Sequence, residues 1–448
     1  MKEIKQIAVV GAGLVGCVQA LLLAKRGYSV KLFERRSDPR KTDPEVGRSI
    51  NLALSHRGIQ ALKKLELEHL VPELSTSMYG RMIHNADGSE VYQPYGKTDQ
   101  CIHSISRINF NKALLDACDE SDKISVFFDA KCIEIDLANN KIEFESAELN
   151  KNNIFDKIFG TDGSYSMVRQ SLLKNGRYDF TQKYLDHGYK ELTIPAKDGE
   201  YALDPKGLHI WPRGSFMLIA LPNKDKSFTC TLFLPFEGKS SFDKLKDAKR
   251  VRAFFNHTFP EASYLMPNLE EEFFENPTSS LVMIQCYPWG TKDVLLLGDA
   301  AHAIVPFYGQ GMNCGLEDCL LFFEMLADKE DNWNENLFEE YAEFRKPNAD
   351  AILKLSLDNY LEMRDSTANP RFLLRKKIER RLSERHPELW RTLYSMVTFS
   401  SIPYAEVYEQ GQKQSKIMDE IMLKPNIEAI WDSEELENEI LEHLSMNV

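Results

Sequence analysis

The chain has 448 residues, of which 43% are hydrophobic and 27% charged, and its formal net charge is −13. That length predicts two or three domains at roughly 150 residues each, with a core that needs no disulfide or metal staple. An acidic balance with scattered Lys and Arg excludes nucleic acid as a natural partner and disfavours an anionic membrane surface.

The N-terminus runs directly into a short apolar strand at residues 5–10 (KQIAVV), so no signal peptide is expected. GAGLVG follows, then a helix that closes at Gly27 and a second strand at 29–34 (SVKLFE). This is a strand–turn–helix–strand unit of mononucleotide-binding size. A helix is expected over 56–70 and strands over 78–100, with turns at Asp87-Gly88 and Pro94. A helix follows over 107–120, then strands and hairpins over 123–160. The stretch 187–236 carries YKELTIP, LHIWPR, FMLIALP and FTCTLFLPF, which read as antiparallel strands of a second, sheet-based domain. Residues 293–297 (DVLLL) make a further buried strand and lead into a long apolar helix. From about 337 charged helices dominate, and the end, IWDSEELENEILEHLSMNV, reads as an acidic amphipathic helix. No window holds 18 apolar residues, so no spanning helix is expected. The eight cysteines include no CxxC pair, which points to reduced thiols, no metal site and a cytoplasmic setting.

Three motifs carry chemistry. Gly11, Gly13 and Gly16 sit between a strand and a helix. There Gly11 makes the tight turn, Gly13 admits a pyrophosphate to the backbone, and Gly16 allows helix–strand packing. The helix N-terminus offers free N–H groups to phosphate. Glu34, at the end of the second strand, suits ribose hydroxyls and disfavours a 2′-phosphate, which leaves FAD or NAD. The second motif is Asp162-Gly163, a turn that can set Asp162 and Arg169 beside the cofactor crevice. The third is Gly298-Asp299 after a buried strand, where a carboxylate can bind the ribityl hydroxyls of a flavin; NAD has no ribityl chain. Together, and in this order, the three favour FAD.

GAGLVG, GTDGSYSMVR and LLLGDAAHAIVPFYGQGMN together resemble the class A flavoprotein monooxygenases, the aromatic hydroxylases with the p-hydroxybenzoate hydroxylase fold. GRSINLALSHRG, RMIH, PYG, ISR, HGYKELTIP, LHIWPR, FMLIALPN, SFTCTLFLPFE, DNYLEMR and MVTFSSIPY are similar to the members that act on the amino acid L-kynurenine. The resemblance covers residues 5–410.

It implies an α/β fold: a Rossmann-like FAD-binding domain from 1–75, 100–180 and 285–335, and an antiparallel substrate-binding sheet from 76–99 and 181–284. A C-terminal helical region, 336–448, would cover the substrate pocket. By the resemblance, Val15, Phe33, Glu34, Arg35, Arg36, Ala53, Arg107, Cys132, Asp299, Met312 and Asn313 line the FAD. Gln310, Met312 and Asn313 would start a helix whose N–H groups face the flavin edge that carries charge when reduced. Arg81, Tyr95, Asn359 and Tyr404 would hold the substrate carboxylate, with Arg81 as the bidentate clamp. Phe233 is expected in an apolar roof over the ring. The implied activity is hydroxylation of L-kynurenine at carbon 3 with tightly bound FAD, transient NADPH and O2, by way of a flavin hydroperoxide. A single GxGxxG fits the absence of a separate nicotinamide domain. The alternatives are a hydroxylase of another aromatic acid, a flavin reductase or halogenase (IWPR at 210–213 is not the halogenase WxWxIP), and a non-catalytic flavin-binding or scaffold protein.

Overall fold

Ile7–Val10 is apolar at every position, which suits a strand covered on both faces. In the computed structural model, which describes residues 4–41, 50–96, 100–151, 153–365 and 370–446, the strand Gln6–Val10 lies at the centre of a five-stranded parallel sheet. The spatial order is Val294–Leu296, Lys157–Gly160, Gln6–Val10, Ser29–Phe33, Ile124–Phe127. Helices Leu14–Lys25, Arg107–Asp119 and Gly311–Asp328 cover it, and Ile7, Val9, Leu32, Phe110, Ile158, Leu295 and Phe322 share one core. Burying each such side chain contributes about 1.5–3 kcal/mol.

A seven-stranded sheet stands beside it. Its order is Ser279–Tyr287, Asp179–Ile194, Phe228–Pro235, Phe216–Pro222, Gly207–Arg213, Gly80–His84, Glu90–Pro94. All pairs are antiparallel except Gly207–Arg213 with Gly80–His84. Alternation along its strands separates two faces. Leu192, Trp211, Leu218, Cys230 and Leu232 point to one side and pack on helices Ala248–Thr258 and Leu269–Glu275. Ile210, Met217, Ile219 and Phe233 point to the other side, towards Val305 and Phe307.

The C-terminal helices have two cores. Ile352 and Leu355 of helix Leu337–Asp365 pack with Met396, Val397, Tyr404 and Val407. Further on, Ile378, Leu382, Trp390, Ile417, Met418, Leu436 and Ile440 form a cluster of their own. The acidic tail therefore does fold, as helix Glu434–Met446, and its buried Glu437 accepts from Arg381 and Arg385.

A chain of buried charges ties these helices to the parallel-sheet half. Glu317 lies between Arg57 and Arg345, and Asp318 lies between Arg345 (2.7 Å) and His302 (2.6 Å). Two cations and two anions balance. Burial pushes the Asp318 carboxyl up, but His302 and Arg345 outweigh it and hold it below the ordinary carboxylate range.

Several elements depart from expectation. The helix expected over 56–70 ends at Lys64, because Glu66 takes a left-handed backbone (φ 63°) before a separate short helix, Leu70–Leu74. The expected domain limits at 75/76 and 284/285 fall inside strands Ser75–Met78 and Ser279–Tyr287. Residues 47–49 of the GRSINLALSHRG segment lie outside the described residues.

Candidate active site

A cavity of about 1220 Å³ runs from the glycine loop to the inner face of the seven-stranded sheet. Its first end is built by backbone. Gly11 has φ +101°, and a Cβ there would lie 2.6 Å from the Thr161 carbonyl oxygen. A Cβ on Gly16 would fall 1.8 Å from the Gly11 oxygen, so Gly16 is a packing glycine and is off the cavity wall. Gly13 is different: it lines the cavity and nothing stands within 4 Å of where its Cβ would be. Gly13 also N-caps helix Leu14–Lys25 with no side-chain cap, which leaves the first N–H groups of that helix for a ligand.

Glu34 sits on the wall, buried. One of its carboxylate oxygens accepts from Ala12 N (3.1 Å), and the other accepts from Arg36 N (3.0 Å) and Nε (2.8 Å). Val15, Phe33, Arg35, Arg36, Ala53, Arg107 and Cys132 also line the cavity. Burial pushes the Cys132 thiol up to about 12, so it stands there as a neutral group. Asp162 caps helix Met167–Asn175: its Oδ2 accepts from Met167 N (2.7 Å) and Val168 N (3.2 Å), while Oδ1 is buried with no partner. Asp299 is exposed to the cavity, and Ser164 Oγ stands 3.5 Å from its Oδ2. Desolvation by the surrounding protein raises the carboxyls of both aspartates above their ordinary range. Arg169 spends its guanidinium on the carbonyls of Ala300 (2.7 Å) and Ser164 (2.6 Å), and so braces the loop of Asp162 against that of Asp299.

Gln310 and Met312 face the cavity at the start of helix Gly311–Asp328. Asn313 does not. Its amide donates to Ala53 O (2.8 Å) and Gly309 O (2.9 Å) and accepts from Ser55 N (2.9 Å), so it fastens two loops together.

The expected carboxylate-binding set is only partly assembled. Arg81 lies on the wall, and among the described residues it forms no salt bridge. Its Nε is buried without an acceptor, and the Tyr95 hydroxyl is likewise buried and unpartnered. Tyr95 stands beside Arg81 (5.7 Å from guanidinium to ring) but off the wall itself. Asn359 is off the wall and donates to the Phe307 carbonyl oxygen (2.7 Å). Tyr404 is fully buried away from the cavity. Arg57 lies 3.8 Å over its ring, and its hydroxyl donates to Gln310 Oε1 (2.9 Å). Its expected place is taken by Tyr394, which sequence reading passed over. Tyr394 lines the cavity with the Arg81 guanidinium 4.6 Å over its ring, and it stacks on Tyr95 (5.2 Å) and Tyr308 (5.9 Å). Thr392 caps the helix Leu393–Phe399 that presents it. A Thr-x-x-Ser cap ahead of an apolar turn was the available signal.

The remaining wall is apolar. Leu208, Ile210, Met217, Ile219 and Phe233 come from the sheet and Phe307 from the opposite loop, with Phe233 and Phe307 5.0 Å apart. The arrangement thus joins a glycine loop with an uncapped helix end, a pair of carboxylates, an apolar slot and an arginine without a salt bridge among the described residues in one space.

Residues 5–356 match the family model described as FAD binding domain. The kynurenine 3-monooxygenase of Christiangramia forsetii is 45% identical over 98% of this chain and 99% of its own length. That of Flavobacterium johnsoniae is 45% identical over 99% of this chain and 100% of its own length. Among solved structures, tetrameric 2-methyl-3-hydroxypyridine-5-carboxylic acid oxygenase superposes with a TM-score of 0.68 at 18% identity, over 82% of this chain and 95% of that one. At that identity the likeness speaks for the fold alone.

Proposed function

Since the chain belongs to the kynurenine 3-monooxygenase family of FAD-dependent hydroxylases, we propose that the cavity holds FAD along the glycine-loop end and L-kynurenine between Arg81 and the apolar slot. The chain is an FAD-dependent monooxygenase that converts L-kynurenine to 3-hydroxy-L-kynurenine with NADPH and O2.

The residues present fit the cofactor. The open space over Gly13 and the uncapped helix behind it suit a pyrophosphate, Glu34 and Arg36 suit the adenosine end, and Asp162 and Asp299 suit hydroxyl donors. A desolvated carboxylate is eased by donors, which a ribityl chain supplies. When bound, FAD supplies electron transfer from NADPH and activation of O2, which side chains cannot.

The single observation that carries the substrate reading is Arg81. A half-buried guanidinium on the cavity wall, with a buried Nε and a buried phenol beside it both unpartnered, is suited to receive a carboxylate. Tyr394 gives the guanidinium a ring to lie on and fixes its plane. The aniline ring then enters the slot of Ile210, Met217, Ile219 and Phe233, which excludes water from the reacting carbon. The substrate's own amino group enriches that carbon in electrons, so the wall needs to supply position more than a strong base. Gln310 lines the same space, with its Oε1 held by Tyr404 (2.9 Å) and its Nε2 donating to Ser55 Oγ (3.3 Å), so the amide is fixed at both ends. The proposed domain assignment keeps the parallel sheet for FAD, the inner face of the seven-stranded sheet for substrate and the C-terminal helices as its cover.

No helix among the described residues is long and apolar enough to cross a membrane. We propose the cytoplasm as the setting, on the strength of eight free thiols, seven of them buried. The activity is tested with purified protein by following NADPH oxidation and mass-detected product with and without L-kynurenine. Kynurenine-dependent formation of the 3-hydroxy product is expected, and NADPH oxidation indifferent to kynurenine overturns the reading.

A further inference from the structure

Where the hairpin Gly80–His84/Glu90–Pro94 meets the short helix Pro260–Tyr264, a polar group stands outside the cavity just described. His209 Nε2 lies 2.8 Å from the Asp204 carbonyl oxygen, which only accepts, so that nitrogen carries a hydrogen. Its Nδ1 lies 2.8 Å from His84 Nε2, so the two rings are joined through these nitrogens. The other His84 nitrogen, Nδ1, is left to face Glu90 and Glu261.

His84 is only 3% exposed, and its Nδ1 is buried without a hydrogen-bond partner. It points at Glu90 Oε1 (3.1 Å) and Glu261 Oε2 (3.5 Å), and the three atoms lie within 4.8 Å of one another. Two carboxylate oxygens and a buried imidazole nitrogen thus converge on one point, an arrangement that a cation at its centre satisfies. Trp211 stacks on the ring (4.2 Å, 9°) and holds its plane, and the contact of Nε2 with His209 keeps Nδ1 aimed at the two glutamates.

We propose that His84 Nδ1, Glu90 Oε1 and Glu261 Oε2 bind one divalent transition cation of the zinc class. Ligands about 2.0–2.2 Å from a tetrahedral zinc lie roughly 3.3–3.6 Å apart, close to the separations from His84 seen here. One imidazole and two carboxylates form a borderline donor set that zinc accepts and that calcium, which takes oxygen alone, does not. The half-exposed glutamates leave the fourth position to water. The ion would pin the hairpin to the helix. That hairpin carries Arg81 and leads to Tyr95, so the site acts on the rigidity of the carboxylate clamp and takes no part in the oxidation.

The test uses the FAD-loaded protein, stripped with a chelator, dialysed, loaded with zinc sulfate and assayed by atomic absorption. The comparison is Glu90→Gln/Glu261→Gln, two surface changes that leave the buried His84–His209–Trp211 stack in place. Wild type should retain one zinc per chain, with affinity more than roughly tenfold above that of the variant, and zinc should raise the thermal midpoint of wild type alone. Equal retention by the two proteins would place any zinc elsewhere and overturn the proposal. So would the finding that wild type binds no zinc and gains stability over the variant only as the pH falls, because a proton would then be the cation at the centre.

Discussion

The buried pair Arg57 and Arg345 and the half-buried Arg81 live under opposite conditions. Arg57 and Arg345, each 1% exposed, have every charge answered by Glu317 and Asp318 and bridge the first half of the chain to the last. Arg81 stands beside Tyr95 and Tyr394 with a donor unused and no salt bridge among the described residues. A paired buried charge holds a structure together, whereas an unpaired one on a cavity wall is open to a ligand. The contrast separates residues that build the site from one that waits in it.

The largest effect should come from breaking the paired set. Arg345→Leu leaves Glu317 and Asp318 buried together, and a loss of about 3–5 kcal/mol is expected in urea unfolding followed by tryptophan fluorescence. Unchanged stability would remove the network from the list of braces. Arg81→Ala should do the reverse, leaving stability equal or higher while KM for L-kynurenine rises roughly 30- to 150-fold, the equivalent of about 2–3 kcal/mol at a charged hydrogen bond. The decarboxylated analogue of kynurenine should be handled alike by both proteins; if Arg81→Ala weakens it as much as kynurenine, the clamp is wrong. Tyr404→Phe falls between the sets. It removes one bond of ~1 kcal/mol to Gln310, so a several-fold drop in kcat with more H2O2 per NADPH is expected, at unchanged KM. A changed KM with normal coupling would return Tyr404 to the substrate.

The smallest effect sharpens the comparison from the acidic side. Glu191 is largely buried, and burial raises it to about 7, opposed only in part by Arg107. A carboxyl raised on folding binds its proton more tightly in the native state, so stability falls as the pH rises from the unfolded value towards 7. Glu191→Gln should therefore raise the thermal midpoint modestly at pH 8, with the gain vanishing near pH 4–5. A gain that persists at low pH would assign the effect to packing.

The two ends of the cavity differ in how far they could be read from the sequence. The proposed phosphate cradle is local: Gly11, Gly13 and Gly16 lie within six residues, and Glu34 follows one crossover later, so period and spacing suffice. The proposed clamp draws on residues 81, 95 and 394, which the sheet and helix packing bring together and no local pattern links. Within LYSMVTFSSIPY two tyrosines lie ten apart, and motif likeness favoured Tyr404. Only the break between helices Leu393–Phe399 and Tyr404–Ile421 sends Tyr394 to the cavity and Tyr404 to Arg57. Asn313 was legible as a motif member but not as a loop fastener, because its three backbone partners lie on two separate segments.

The line Gln310–Tyr404–Arg57–Glu317–Arg345–Asp318–His302 also sets a limit on how the molecule can be cut. A chain trimmed ahead of Tyr404 would lose more than a cover for its substrate. It would strip the aromatic face from Arg57 and release the amide of Gln310, so damage at the far end of the polypeptide would be felt on the cavity wall. If that wall holds the flavin as proposed, a shortened version should be judged by its yellow colour before its turnover.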